Sequence, residues 1–179
     1  MRYLCLILYY GVFRWLPSSY SKLSLGLGRV SMILRRWACS HIFEYCGKKV
    51  NIERGATFGA GKHIRIGNES GIGINCKVPS NIHIGNNVMM GPNCVIFNNN
   101  HGFDRIDIPM QKQGFTPVKP VIIEDDCWIG CNVIMTAGRI VKKGSIVGAG
   151  CVLTKDFPEY SIIGGNPSRL IRNRKTNTI

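Results

Sequence analysis

The sequence contains no CxxC pair, no apolar run of twenty residues and no RNA- or DNA-binding motif, and it is short of acidic residues. Each absence removes a class of protein. Eight cysteines without a CxxC pair argue for free thiols in a reducing, cytoplasmic setting rather than for a disulfide framework. The uncharged stretch near the N-terminus, residues 3–13, is eleven residues long. A membrane-spanning helix takes about twenty, so no span is expected there. Arg2 precedes this stretch as in a signal peptide, but Pro17-Ser18-Ser19 makes a poor cleavage site. Only 10 Asp and Glu stand against 23 Lys and Arg, a formal net charge of +13. Residues 1–50 hold eight of those basic residues and one acid, Glu44, and the tail adds Arg169, Arg172, Arg174 and Lys175. Such charge suits a polyphosphate ligand or an anionic membrane face. Without a binding motif, nucleic acid is not an expected partner.

What the chain does have is a period of six. Ile66, Ile72, Val78, Ile84, Met90 and Ile96 form one unbroken run, and Ile123, Ile129, Met135, Val141, Val147 and Leu153 form another. Six fits neither an α-helix nor a half-buried strand. It is the repeat of a parallel β-helix, in which each hexad supplies one short strand and one corner. The residue after the aliphatic is often Gly (Gly67, Gly73, Gly85, Gly91, Gly130, Gly148), as expected where a corner needs backbone freedom. Four positions after it the side chain is small: Ser70, Cys76, Val88, Cys94, Cys127, Val133, Ser145 and Cys151. These should point inward, with Cys76 and Cys94 stacked one coil apart as free thiols. An earlier fragment, Ile52, Phe58 and Ile64, shares the period but is displaced by two residues, which predicts an irregular first coil.

Three segments follow from this pattern: an apolar and basic helical segment at 1–49, a β-helix at 50–160 and a basic tail at 161–179. In the first, Leu23, Leu27, Val30, Leu34 and Trp37 step by four and three, which predicts one apolar helical face flanked by Arg35 and Arg36. That face caps the open end of the solenoid, or it makes a basic, amphipathic contact with the inner membrane face; both can hold in one protein. Between the two hexad runs, residues 97–122 break the period and should be extruded as a loop. Such a loop on a rigid scaffold is where function concentrates. His101 lies at its start, and His is the side chain best suited to proton transfer near neutral pH.

The stretches IGNNVMMGPNCVIFNNNHGFD, VIIEDDCWIGCNVIMTAGRIVKKGSIVGAGCVLTKDFP and GGNPSRLIR resemble the hexapeptide-repeat acyltransferases. The likeness is to their sugar O-acetyltransferase branch, with the maltose and galactoside acetyltransferases and capsule-modifying relatives, and it covers roughly residues 50–173. It implies a left-handed parallel β-helix, a homotrimer, and acetyl-CoA lying between neighbouring solenoids as co-substrate, with no metal. It implies that His101 is the catalytic base. It also implies a CoA wall at Trp128, Cys131, Ala149, Thr154 and Lys155, with Lys155, Arg169 and Arg172 meeting the CoA phosphates. Asn75 falls near the position that orients the acceptor in relatives, and Asp104 is a candidate to orient His101 or to bind a sugar hydroxyl. The function expected is acetyl transfer to a hydroxyl of a sugar or surface-glycan precursor. Serine, a streptogramin-type antibiotic or an amino sugar remain alternative acceptors, and a non-catalytic β-helix scaffold is the reading from another class. The zinc-binding carbonic anhydrases of similar fold use a close His pair with four residues between, which this chain does not have.

Overall fold

The computed structural model describes residues 1–19 and 26–176. From residue 45 onward the chain winds as a parallel β-helix of about six turns. Its strands lie on three faces. The first face carries β1 (Tyr45–Cys46), β3 (Arg65–Ile66), β5 (His83–Ile84), β8 (Ile122–Ile123) and β11 (Ile140–Val141), paired in that order. The second carries β2 (Asn51–Ile52), β4 (Gly71–Ile72), β6 (Met89–Met90), β9 (Trp128–Ile129), β12 (Ile146–Val147) and β14 (Ser161–Gly164). It ends with β15 (Arg169–Asn173), which folds back antiparallel to β14. The third face carries β7 (Val95–Ile96), β10 (Ile134–Met135) and β13 (Val152–Leu153), extended downward by bridges from Val95 to Lys77 and from Lys77 to Thr57. Edges join the faces, and the third edge, from the third face back to the first, is opposite the second face.

The hexad aliphatics fill the interior: Ile66, Ile72, Ile123, Ile129, Met135 and Val147 are all fully buried. The small residues four positions later are buried beside them. Cys76 and Cys94 stand in equivalent positions, with the Cys94 amide donating to the Cys76 sulfur at 3.3 Å, and both are free thiols. The contact with the Cys94 side chain, together with burial, outweighs that amide and holds the Cys76 thiol protonated. Burial likewise pushes Cys127 up to about 11. These thiols serve as small apolar fillers rather than nucleophiles.

Two expectations need a different physical reason. The glycines that follow the aliphatics do not have positive φ; that conformation falls two residues later, at Glu69, Asn75, Asn87, Asn93, Asn132 and Gly150. What Gly73 and Gly130 provide is space. A Cβ on Gly73 would lie 2.2 Å from the Gly91 oxygen of the next coil, and one on Gly130 would lie 2.5 Å from the Ala149 nitrogen. The two-residue phase shift of Ile52 and Phe58 also has a simple cause. Thr57 pairs with Lys77, twenty residues on, whereas Lys77 pairs with Val95, eighteen residues on. The first coil is longer by two residues at its third edge, around Gly59 to Lys62.

Helices α1 (Arg2–Gly11) and α2 (Leu27–Ile42) cover the open end of that first coil. Tyr9 is buried against Phe58 and donates to the Ala56 oxygen at 3.0 Å. The face of α2 that packs inward differs from the one predicted. It consists of Gly28, Ser31, Arg35, Ala38, Cys39 and Ile42, while Leu27, Val30 and Trp37 are exposed, Leu34 is half-buried and Leu23 lies outside the described residues. The reason is Arg35, read from sequence as a flanking charge. It is fully buried and donates to the oxygens of Ile52 (2.5 Å), Pro17 (3.2 Å) and Leu16 (3.3 Å). The open end of a coil presents unpaired carbonyls, and a guanidinium satisfies several at once. Among the described residues no helix is long and apolar enough to cross a membrane.

Candidate active site

Residues 97–121 leave the solenoid at the third edge and close as a hairpin. Lys119 N donates to Asn98 O (2.7 Å), Thr116 N to Asn100 O (2.8 Å) and Gly102 N to Gly114 O (3.0 Å). The base is fixed to the coils by Phe97 N to Met135 O and by Asn98 Nδ2 to Asn81 Oδ1 at 2.8 Å. His101 sits opposite Phe115 within this hairpin, and its imidazole lies against the Phe115 ring with centroids 4.5 Å apart. The ring is exposed, and among the described residues no side chain hydrogen-bonds to it. An exposed imidazole on a tied base can present a nitrogen to an incoming hydroxyl. Phe115, which supports it, was not singled out from the sequence; Gly102 and Gly114 across the hairpin were the available signal.

Asp104 is further out on the hairpin, where it lines a shallow groove with Arg105, Gln113 and Phe115 and makes no hydrogen bond to His101. Thr154 and Lys155 are on the same third edge as the hairpin, immediately after β13. The Thr154 hydroxyl is 3.3 Å from the buried Ser168 hydroxyl, and the Lys155 ammonium lies 5.5 Å over the Phe157 ring. Arg139, also missed in the sequence, ties this edge together by donating to Thr154 O (3.1 Å) and pairing with Asp156 (3.4 Å).

The remaining nominated residues are elsewhere. Asn75, Cys131 and Ala149 follow the second edge. Asn75 occupies a positive-φ corner (φ 55°), and Gly150 N, next to Ala149, donates to Cys131 O at 2.9 Å. Arg169 pairs with Gly164 at the top of this edge. Trp128 stands on the second face, half exposed (50%), in register with Met89 below and Ile146 above. Arg172 ends the same column through its pairing with Ile162. A cleft of about 530 Å³ runs below Trp128 along this face, bounded by Met89, Pro92, Ile74 and Glu69. The structure therefore groups His101, Thr154 and Lys155 on one edge and Asn75, Cys131, Ala149, Arg169, Arg172 and Trp128 along the opposite side of the prism. Among the described residues no three His, Cys, Asp or Glu side chains are placed to hold a metal ion.

Residues 120–155 match the family described as the hexapeptide repeat of succinyl-transferase. A chloramphenicol acetyltransferase from Agrobacterium fabrum is 39% identical over 61 residues, 34% of this chain and 29% of that protein. The chain thus spans less than a third of the length of the curated relatives that it matches first. Solved structures match over a longer stretch. A hexapeptide-repeat-containing acetyltransferase from Vibrio cholerae is 31% identical, with 79% of this chain and 80% of that chain covered and a TM-score of 0.72. That protein is also known in complex with acetyl coenzyme A (26% identity, 78% and 75% covered, TM-score 0.60). A maltose O-acetyltransferase from Clostridium difficile is 29% identical, with 96% and 85% covered and a TM-score of 0.73. With the hexad core, the extruded hairpin and this extent of likeness together, the chain belongs to the hexapeptide-repeat-containing acetyltransferases.

Proposed function

We propose that this protein transfers the acetyl group of acetyl-CoA to a hydroxyl of a sugar or glycan, with His101 as general base. The observation that carries the reading is His101 itself: an exposed imidazole, backed by Phe115, on the tied hairpin that leaves the coils. An alcohol is a weak nucleophile at neutral pH. Neutral His101 takes the hydroxyl proton as that oxygen bonds to the thioester carbonyl carbon. The tetrahedral intermediate then expels the CoA sulfur, which takes the proton from the imidazolium and leaves as the free thiol. The products are the acetyl ester and CoA, and His101 returns to its neutral form.

The residues available fit CoA. Small side chains along the second edge, Cys131 and Ala149, together with Gly150, beside which a Cβ would meet nothing within 4 Å, leave room for a slender pantetheine arm. Half-exposed Trp128 offers a flat apolar wall, and Lys155, Arg169 and Arg172 are cations of the kind that bind phosphates. Since His101 and Trp128 lie on opposite sides of the prism, one copy's hairpin edge would meet the second face of the next. Such a contact is heterologous, and a rotation between copies that closes it after three gives the homotrimer that belongs to this proposal.

The sugar acceptor is supported by the likeness to a maltose O-acetyltransferase. The matching test is release of CoA from acetyl-CoA with a panel containing maltose, galactosides, lipid-linked glycans, amino sugars, serine, chloramphenicol and streptogramins. Turnover with a sugar or glycan hydroxyl supports the proposal. Turnover confined to an amine, serine or an antibiotic overturns the acceptor class. A protein that binds no acetyl-CoA is a scaffold.

A further inference from the structure

We propose that the two-helix cap is a docking surface for an anionic lipid bilayer, which goes beyond the reaction assigned above. Capping accounts for only one side of the helices. α1 buries Cys5 and Tyr9, and α2 buries the Arg35 face. The opposite sides are apolar and bare. On α1 and the turn after it, Ile7 is 70% exposed and Trp15 59%; on α2, Ile33 is 56% and Trp37 41%. Tyr3, Leu4, Val12, Leu27 and Val30 extend the same surface. Both helices pack on the end of one coil, so both bare sides face away from the solenoid.

Charge identifies the occupant. No acidic residue precedes Glu44, whereas Arg2, Arg14, Arg29, Arg35 and Arg36 all fall within or between the helices. Arg35, Arg2 and Arg36 are consumed in the cap, Arg2 donating to the Ile42 oxygen and Arg36 to the Val50 oxygen, but Arg29 is exposed on the outer side of α2. The Arg14 guanidinium lies 4.3 Å over the exposed Trp15 ring. Apolar side chains with Arg14, Arg29 and interfacial aromatics among them, and no acidic residue before Glu44, complement anionic headgroups above an acyl boundary. A protein partner with an apolar groove would not by itself call for the missing acids. The helices are too short to span, so the cap would lie in the interface plane. The hairpin leaves the third coil, two coils above the first, so its base would stand on the order of 20 Å above the bilayer, taking about 4.8 Å per coil and about 10 Å for the helical layer.

The test is co-sedimentation of the full chain with vesicles of phosphatidylcholine alone and of phosphatidylcholine with 30% phosphatidylglycerol. The double variant Ile7→Glu/Ile33→Glu changes only exposed positions; far-UV circular dichroism and a melting curve verify that it folds. Expected are binding to the anionic vesicles, weaker binding as salt is raised, and at least a ten-fold loss in the double variant. Arg29→Glu should lower anionic-vesicle binding without altering the little that binds neutral vesicles. Equal binding to both vesicle types, or a folded double variant that binds as well as the wild type, overturns the proposal. So does a change in oligomeric state of that variant by light scattering, which would make the face a contact between copies. None of these readouts depends on acetyl transfer, so failure here leaves the proposed reaction standing, and the reverse.

Discussion

Replacing Arg35 with Met should loosen the cap far more than its place on a surface helix suggests. Arg35 is fully buried, and four backbone carbonyls, those of Ile52, Phe13, Leu16 and Pro17, take hydrogen bonds from it. Glu53, only 3% exposed, has its oxygen 3.9 Å from the guanidinium. Met fills most of the volume but leaves the carbonyls without a donor and Glu53 without a cation. Breaking a buried pair costs about 3–5 kcal/mol. The 3.9 Å separation is long, and Nη2 makes no hydrogen bond, so the lower end applies. A loss of about 3 kcal/mol corresponds to a fall in melting temperature of roughly 6–12 °C for a chain of this size. Urea unfolding followed by circular dichroism measures the first quantity and calorimetry the second. Glu53 retains hydrogen bonds from Asn51 (2.8 Å) and the Ser19 amide (3.2 Å), so Arg35→Met/Glu53→Gln should recover about 1 kcal/mol through removal of the unpaired charge. A single variant that loses less than about 1 kcal/mol would refute Arg35 as the group holding the cap.

Three further outcomes are expected. His101→Ala should slow acetyl transfer by about 10²- to 10⁴-fold with little change in acetyl-CoA affinity; near-normal turnover on the true acceptor removes His101 as base. Of the two half-buried cysteines, Cys131 should alkylate before Cys46, whose thiol burial pushes up to about 11, and CoA should protect Cys131; mass spectrometry of iodoacetamide adducts checks both. Gly73→Ala should cost about 2–3 kcal/mol because its Cβ would meet backbone oxygens of the next coil, whereas Gly11→Ala meets nothing and should be neutral in the same urea titration.

The solenoid was legible because its core is built from one repeated local rule. Each aliphatic faces in because the residue six before it and the residue six after it do, and no long-range pairing had to be guessed. Glycine after the aliphatic was read correctly as a position but not as a cause. Close approach between coils and positive φ both select glycine, and only the backbone separates them. The side of α2 that packs was misread for a related reason. Periodicity alone ranks Arg35 as surface, but a coil end offers carbonyls, and a buried guanidinium competes well for them. The hairpin's existence followed from the broken period, while the register that places His101 opposite Phe115 did not, since no repeat governs it.

The distribution of the candidate site along the prism has a consequence that can be measured. Side chains inside a β-helix are committed to packing, so reactive groups can stand only on faces and edges. Here His101 is on the third edge and Trp128 on the second face, with the packed core between them. If one working site takes its base from one copy and its CoA wall from the next, two defective variants can repair each other. Co-expression of His101→Ala with Trp128→Ala would form mixed rings. In random 1:1 mixing each site draws an intact base half the time and an intact wall half the time, so about a quarter of sites should be whole. Assayed at an acetyl-CoA level where each parent is inactive, the mixture should recover about that fraction of wild-type turnover. A site contained in one chain predicts no recovery at any ratio. A mixture no better than its parents, with ring formation verified by light scattering, would show that base and wall do not meet between copies.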